Sequence, residues 1–394
     1  MSASRTVFGI RRAVLVACAL LATGAPAAAS GPYVKPGNEV VEFVRTRFFD
    51  AKKAEAWGAT HRNYGAAATS AEDFAKRTNA ALAELGASHS VLYPKGSPGH
   101  TALSAIFQQF LRLPRVEYAS IGADLVERPD GVFVRHVFAG GPAARAGLLR
   151  GDRLLSGASF EGRAGRPTRI SVERTRGAAP LALTVTPRTV NPKAEWLEVQ
   201  RGSSRVIEHN GRRVAYQHLY SCAGTEHQEV LQDALTSTFA SAEALVIDFR
   251  DGWGGCNPDF LNLFNPLVPL FTDINREGQR NTRSTTWRKP VVLLVNGNSR
   301  SGKEMVAFAL KKHKRATLVG QRTAGAVLAG APLFLSNGDL LYLAVMDVEV
   351  EGVRLEGTGV DVDVEVPDAL PYSEGKDPQL DKALDVAASA AGRR

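Results

Sequence analysis

Between about residues 37 and 114, apolar residues recur at three- and four-residue steps, most clearly in NEVVEFVRTRFFDAKKAEAWG and SAEDFAKRTNAALAELGAS. That period gathers them on one face of an α-helix. Ser70, followed by Glu72 and Asp73, is an N-cap with acids where the helix dipole favours them. The same helix stops at Gly86, so Ala87-Ser88-His89-Ser90 falls on the turn that follows. From about 117 to 188 the pattern changes to short alternating runs punctuated by Gly and Pro, the texture of β-strands. From about 200 to 385 strand and helix patterns alternate. RVIEHNGRRVAYQHLY reads as a hairpin turning at Asn210-Gly211. EHQEVLQDALTSTF and KEMVAFALKKH read as helices, and ALVIDF, PVVLLVNG and ATLVGQ as strands. Those middle strands are apolar throughout, as a sheet covered on both faces requires. The expected architecture is an α+β multidomain chain: a helical region at 30–116, a β domain at 117–190 and an α/β core with a mixed sheet at 191–394.

The first residues change the picture of where the protein works. Arg5, Arg11 and Arg12 precede the apolar run from Ala13 to Ala22, and small residues end at Ala27-Ala28-Ala29-Ser30. A basic start, a short apolar run and an A-x-A site make residues 1–29 a secretory signal peptide and the mature protein periplasmic or secreted. Leu15 to Cys18 resembles a lipobox, but the apolar stretch continues past Cys18, which argues against a lipoprotein. Cleavage removes three arginines and no acid, so the net charge of +8 falls to +5 without any basic block. Nucleic-acid binding has no support in that composition. No other apolar segment is long enough to span a bilayer. Cys222 and Cys256 remain in the mature chain, an even pair and hence a disulfide candidate in an oxidising compartment.

The loop VVLLVNGNSRSGKE offers three chemistries. Gly297-x-x-x-x-Gly302-Lys303 matches a phosphate-binding loop except at its last position, where Glu304 replaces the hydroxyl that would meet Mg²⁺. A carboxylate there repels phosphates, so a nucleotide is not expected. Ser299 and Ser301 lie at a strand-to-helix turn, where a nucleophile or an N-cap fits equally, and neither is in G-x-S-x-G. Lys303 is two residues from Ser301, and side chains two apart on a helix do not face each other. A base for either serine has to come from elsewhere. Eight scattered histidines with no H-x-x-x-H pair give no metal site, and no cofactor is expected.

Residues 131–156 contain GGPAARAGLLRGDRLL, and its PA-x-x-AGL-x-x-GD order resembles a PDZ domain. The resemblance makes Ile121, Gly122 and Ala123 part of a loop that binds a peptide carboxylate, with substrate added as a strand. A helical region, a PDZ domain and an α/β core in this order resemble the C-terminal-processing (tail-specific) serine peptidases. IDFRDGWGG, VNGNSRSGKE and Gly320-x-x-Thr323-x-Gly325 match motifs of their core, which implies a ClpP/crotonase-like fold and Ser301 as nucleophile. Those peptidases carry a lysine base directly after the last glycine, where this chain has Ala326. The branch resembling the tricorn core uses instead a histidine ahead of the PDZ domain and a late glutamate, which His89 and Glu356 match. The implied triad is Ser301, His89 and Glu356, with Gly254, Gly255 and Gly302 supplying oxyanion donors.

Blander roles compete for each residue. His89 alone is a turn residue, and His218, ending a core strand, is a rival base. Glu356 alone is a solvated turn acid. Loss of the family lysine also suits a catalytically inactive PDZ protein that binds peptides as a scaffold. The expected partner is a polypeptide substrate, engaged through its C-terminus, and the sequence leaves a homo-oligomer open.

Overall fold

The computed structural model describes residues 31–156 and 159–393; the expected leader, residues 1–29, lies outside them. Its centre is a six-stranded sheet ordered Val364–Glu365, Thr317–Gly320, Val291–Val295, Ala244–Asp248, Arg212–His218 and Arg205–His209. The first five strands run parallel and the last is antiparallel, so the sheet is mixed. Asn210 and Gly211 take φ of 50° and 71°, the left-handed pair that a two-residue hairpin requires. Alternate side chains of the central strands enter two different cores. Ala215, Leu245, Ile247, Leu293, Val295 and Leu318 pack with Leu231 and Val306 of the helices Thr225–Thr236 and Gly302–Lys312. Val214, Val246, Val292, Leu294 and Val319 pack against Ala383, Leu384 and Ala387 of the helix Pro378–Ala391. Burial on both faces is why these strands read as unbroken apolar runs.

The helices Val34–Arg47, Ala51–Thr60 and Ala71–Ala83 form as the three-and-four spacing predicts, and Ser70 Oγ accepts the Asp73 N–H at 3.1 Å. Their apolar face is not closed on itself. Val40, Val44, Phe74 and Leu82 share one core with Leu328, Leu335, Leu341 and Leu343. The strand Val91–Tyr93 joins the sheet of Ala329–Phe334 and Leu340–Met346. The region expected as a helical domain at 30–116 is therefore built into a late part of the core.

Residues 123–185 form a five-stranded antiparallel sheet with Ala123–Arg128 as one edge, and the helix Pro142–Arg145 packs beside it. This β domain is fastened to the core at three places. Arg150 Nη2 meets Asp368 at 2.5 Å, and Tyr372 Oη donates to Glu173 at 2.9 Å. Arg135 and His136 reach Asp251 at 2.9 and 2.7 Å. Ser120 Oγ donates to the buried Glu195 at 2.6 Å, which Tyr118 Oη also engages.

The carboxyl ends of the parallel strands are held by a buried ion cluster. Arg250 is 2% exposed and binds Asp248 and Asp377 bidentately, at 2.7–2.9 Å. The Arg250 guanidinium holds both carboxyls below their ordinary range against the opposing effect of burial. Arg250→Ala leaves the buried Asp248 and the partly buried Asp377 without their cation, and chemical denaturation is expected to show a loss of about 3–5 kcal/mol. In the wild type the depressed carboxyls contribute stability at neutral pH. That contribution disappears as pH falls through their folded-state values. An Arg250→Ala protein that unfolds at the wild-type midpoint would contradict this assignment.

Candidate active site

Three loops at the carboxyl ends of the parallel strands meet here, where open α/β sheets place their sites. After Ala244–Asp248 the chain turns through Asp251 to Cys256; after Val291–Val295 it runs through Asn296 to Ser301; after Thr317–Gly320 it passes through Thr323 to Leu328. Ser301 caps the helix Gly302–Lys312 with φ 58° and ψ −131°, a backbone state that costs a non-glycine residue energy and that clusters at functional positions. Two bonds hold it there. Its N–H donates to Ala326 O at 2.8 Å and, at 3.3 Å, to Glu304 Oε2.

Glu304, the residue that spoils a phosphate loop, is the tether of this one. It is fully buried, and it accepts Thr323 Oγ1 at 2.5 Å, Gly325 N–H at 2.7 Å and Ala326 N–H at 2.8 Å. Burial pushes its carboxyl up, and these donors oppose the shift. Lys303 points into the protein, with Nζ on Asp251 O at 2.8 Å and Tyr220 O at 3.2 Å. Burial pushes its ammonium down to about 7, yet both of these hydrogen bonds go to carbonyls behind the loop. It is a strut. Ser299 has the supporting role expected of it, its Oγ donating to Phe249 O at 2.9 Å and accepting Asn296 N–H at 3.0 Å.

Gly254 stands directly against Ser301. A Cβ there would lie 2.6 Å from Ser301 Cβ and 2.8 Å from Arg300 O, so only glycine fits. Gly302 is equally constrained, since a Cβ would meet Cys256 O at 2.4 Å. As the first residue of its helix, Gly302 has an N–H with no intrahelical acceptor. Gly255, with φ 94°, continues the turn beside Ala223. Cys256 is bonded to Cys222, and Cys222 N–H donates to Gly254 O at 3.1 Å. The disulfide thus staples the glycine turn to the segment after the neighbouring strand.

The second half of the site comes from more than two hundred residues upstream. His89 also has a positive φ, 57°, on the turn after the third helix. Its Nδ1 lies 2.9 Å from Ser88 Oγ, and Ser88 Oγ donates to Glu356 Oε2 at 2.9 Å. Glu356 is 8% exposed and also accepts Ser88 N–H at 2.8 Å, Val327 N–H at 2.9 Å and Leu328 N–H at 3.3 Å. The hydroxyl has one proton and gives it to the carboxylate, so it accepts from Nδ1–H. That fixes the tautomer and leaves Nε2 with a lone pair. Burial first, then the Arg300 charge, push His89 down to about 4 against the pull of Glu356.

Glu356 therefore reaches His89 through Ser88 rather than directly. In the sequence Ser88 is only a letter of the turn motif; a hydroxyl next to a candidate base is the signal that points to it. No hydrogen bond joins His89 to Ser301 in this arrangement, but the Val327–Leu328 amides on Glu356 follow directly after the Ala326 carbonyl that holds Ser301. The rival, His218, is 6% exposed with Nε2 buried and unpartnered. Its neighbours are the rings of His136, at 4.8 Å, and Tyr220. Burial pushes it down to about 3. Ile121 is buried, and the Gly122 N–H donates to Ser120 Oγ at 2.9 Å; Ala123 opens the edge strand. Among the described residues no group of His, Cys, Asp and Glu has the spacing of a metal site.

Residues 213–366 match the family model of peptidase family S41. The chain is 24% identical over 282 residues to the carboxy-terminal-processing protease of Bartonella bacilliformis, covering 65% of this chain and 63% of that protein. It is 27% identical over 341 residues to tricorn protease homolog 1 of Streptomyces coelicolor, covering 78% of this chain and 30% of that one. The chain thus spans less than two thirds of the length of either relative. In fold it is similar to the crystal structure of the tricorn protease, with a TM-score of 0.54 at 18% identity over 91% of this chain and 37% of that one. Mature CPAF complexed with lactacystin gives a TM-score of 0.50 at 12% identity over 91% and 99%.

Reduction of Cys222–Cys256 frees the glycine turn beside Ser301. Loss of reactivity of Ser301 toward a fluorophosphonate is expected in reductant, and in Cys222→Ala/Cys256→Ala, with the circular dichroism of the fold retained. Equal labelling rates with and without reductant would contradict a part for the disulfide in the site.

Proposed function

We propose that this chain, whose residues 213–366 match peptidase family S41, is an exported serine endopeptidase in which Ser301 is the nucleophile, His89 the general base and Glu356 the orienting acid acting through Ser88. The observation that carries the reading is the Nδ1–Ser88–Glu356 chain, which leaves Nε2 able to accept a proton, together with the strained backbone of Ser301. Random decay of a lysine-dependent enzyme would not supply that relay.

In the reaction Ser301 Oγ attacks the scissile carbonyl carbon while its proton passes to His89 Nε2. Charge gathers on the carbonyl oxygen, and N–H groups of Gly302 and of the Gly254-Gly255 turn face it, aided by the positive end of the Gly302–Lys312 helix. The C–N bond then breaks as His89 returns the proton to the leaving amine. Water repeats the sequence in reverse, releasing the acid and restoring Ser301. The imidazolium formed on the way is balanced by Glu356 through the Ser88 hydroxyl. Apo geometry in such sites is often loose and tightens with substrate bound.

Substrate reaches the site as an extended chain. The strand Ala123–Arg128 of the PDZ-like domain is an edge of its sheet, the position at which such domains add a peptide as a further strand. Export is supported by the Cys222–Cys256 disulfide, which persists in oxidising compartments.

A fluorophosphonate tests the assignment without knowledge of the substrate. Ser301→Ala is expected to abolish labelling, and His89→Ala to slow it by about 10²–10⁴-fold. Ser88→Ala and Glu356→Gln are expected to slow it less. Labelling that persists in Ser301→Ala removes the proposal.

The pH dependence carries an independent check. The base must be neutral, and His89 is held down to about 4, so labelling should be flat through neutrality. It should fall only as pH drops through about 4. An acid limb near the ordinary histidine value would show that His89 is not the base.

A further inference from the structure

The site holds a cation with no acid matched to it among the described residues. Arg300 immediately precedes Ser301, is half-buried, and makes one side-chain hydrogen bond, from Nε to Asn298 O at 3.4 Å. Several partly buried arginines elsewhere are matched to carboxylates, as Arg135 is to Asp124 and Asp251, and Arg150 to Asp368. Among the described residues Arg300 has no such partner. Its backbone lies against the Gly254 turn, a Cβ on Gly254 falling 2.8 Å from Arg300 O, and its charge is felt by His89 and by the Tyr93 hydroxyl. Aromatic rings pack beside His89: the Tyr342 ring lies 5.4 Å from that of His89 and 6.0 Å from that of Phe107.

A bare positive charge at that place works against the site. It opposes the arrival of a proton on His89, which the reaction requires. The opposition is relieved when an anion settles on the guanidinium, whose planar fork matches a carboxylate.

We propose that Arg300 determines specificity by binding a carboxylate of the substrate next to the scissile bond, supplied either by an Asp or Glu side chain or by the chain's own C-terminus. The inference rests on Ser301 and His89 being the reacting pair. Binding then does two things: it selects acidic sequence or a terminus close to the cut, and it removes the charge that weakens the base. Arg300 touches the substrate in this assignment and takes no part in bond making.

Digestion of a mixed peptide library by the full-length protein tests it, with the library supplied once with free and once with amidated C-termini and the cuts mapped by mass spectrometry. Wild type is expected to favour peptides with the relevant carboxylate over its neutral counterpart by on the order of ten- to a hundredfold. If the terminus is the ligand, amidation abolishes the preference; if a side chain is, Asp or Glu is enriched at one subsite in both libraries. Arg300→Gln is expected to collapse that ratio to near one and to move the acid limb of kcat/KM to higher pH, a shift that a merely structural residue would not produce. Cleavage indifferent to carboxylates, or a preference unchanged in Arg300→Gln, overturns the assignment of Arg300. Identical products from Ser301→Ala would instead overturn the peptidase reading on which it rests. Fluorophosphonate labelling of Arg300→Gln establishes that the variant is folded.

Discussion

Four consecutive peptide units, Gly325 to Leu328, join the two halves of this site. The first two donate to Glu304 and the last two to Glu356, while the Ala326 carbonyl receives the N–H of Ser301. Both carboxylates are buried, and a buried carboxylate is tolerated only when its lone pairs are met. Shifting the segment would strip donors from two charges at once, each such loss costing several kcal/mol. The distance between the nucleophile loop and the Glu356–Ser88–His89 chain is therefore set by the main chain, not by any side chain facing both.

That rigidity is what lets the site hold unfavourable backbone states. Ser301, His89 and Asp251 all have φ between 56° and 58°. Each costs about 1–3 kcal/mol and persists where its surroundings over-determine it. Ser301 is held by Ala326 and Glu304. Asp251 is held by Asn296, Asn298, Arg135 and His136, and its carbonyl receives Lys303. The PDZ-like domain thus lends two of its side chains to the turn that carries Gly254. It is part of the scaffold of the site.

Much of this is legible in the residues, and the limit is a physical one. Local period yields the helices and the double-faced strands, and Asn210-Gly211 yields its hairpin, because these depend on neighbours within a few residues. The Cys222–Cys256 bridge follows from both cysteines lying past adjacent strand ends. What cannot be read is pairing across hundreds of residues. Nothing local in Val40 or Phe74 says that their partners are Leu341 and Leu343, so the helical region looks like a domain of its own. Ser88 is silent until Glu356, 268 residues later, is placed against it. Lys303 looks reactive for its charge, and only its burial beneath two carbonyls shows that it is structural.

Ala326 stands where the resemblance would put a lysine base, and here both its N–H and its C=O are committed to holding Ser301 and Glu304 in place. Those bonds need no particular side chain, so the position can lose its lysine without loosening the loop. With His89 as the proposed base, a neighbouring cation acts differently. A lysine must be pushed down to work as a base at neutral pH, and Arg300 would help it. A histidine is already neutral there, so the same charge only weakens it. A site that keeps Arg300 beside His89 is poorly basic while empty and gains basicity when a carboxylate docks. Under the proposed assignment, recognition and proton transfer are then coupled through a single charge, and the site is most reactive toward the chains it selects.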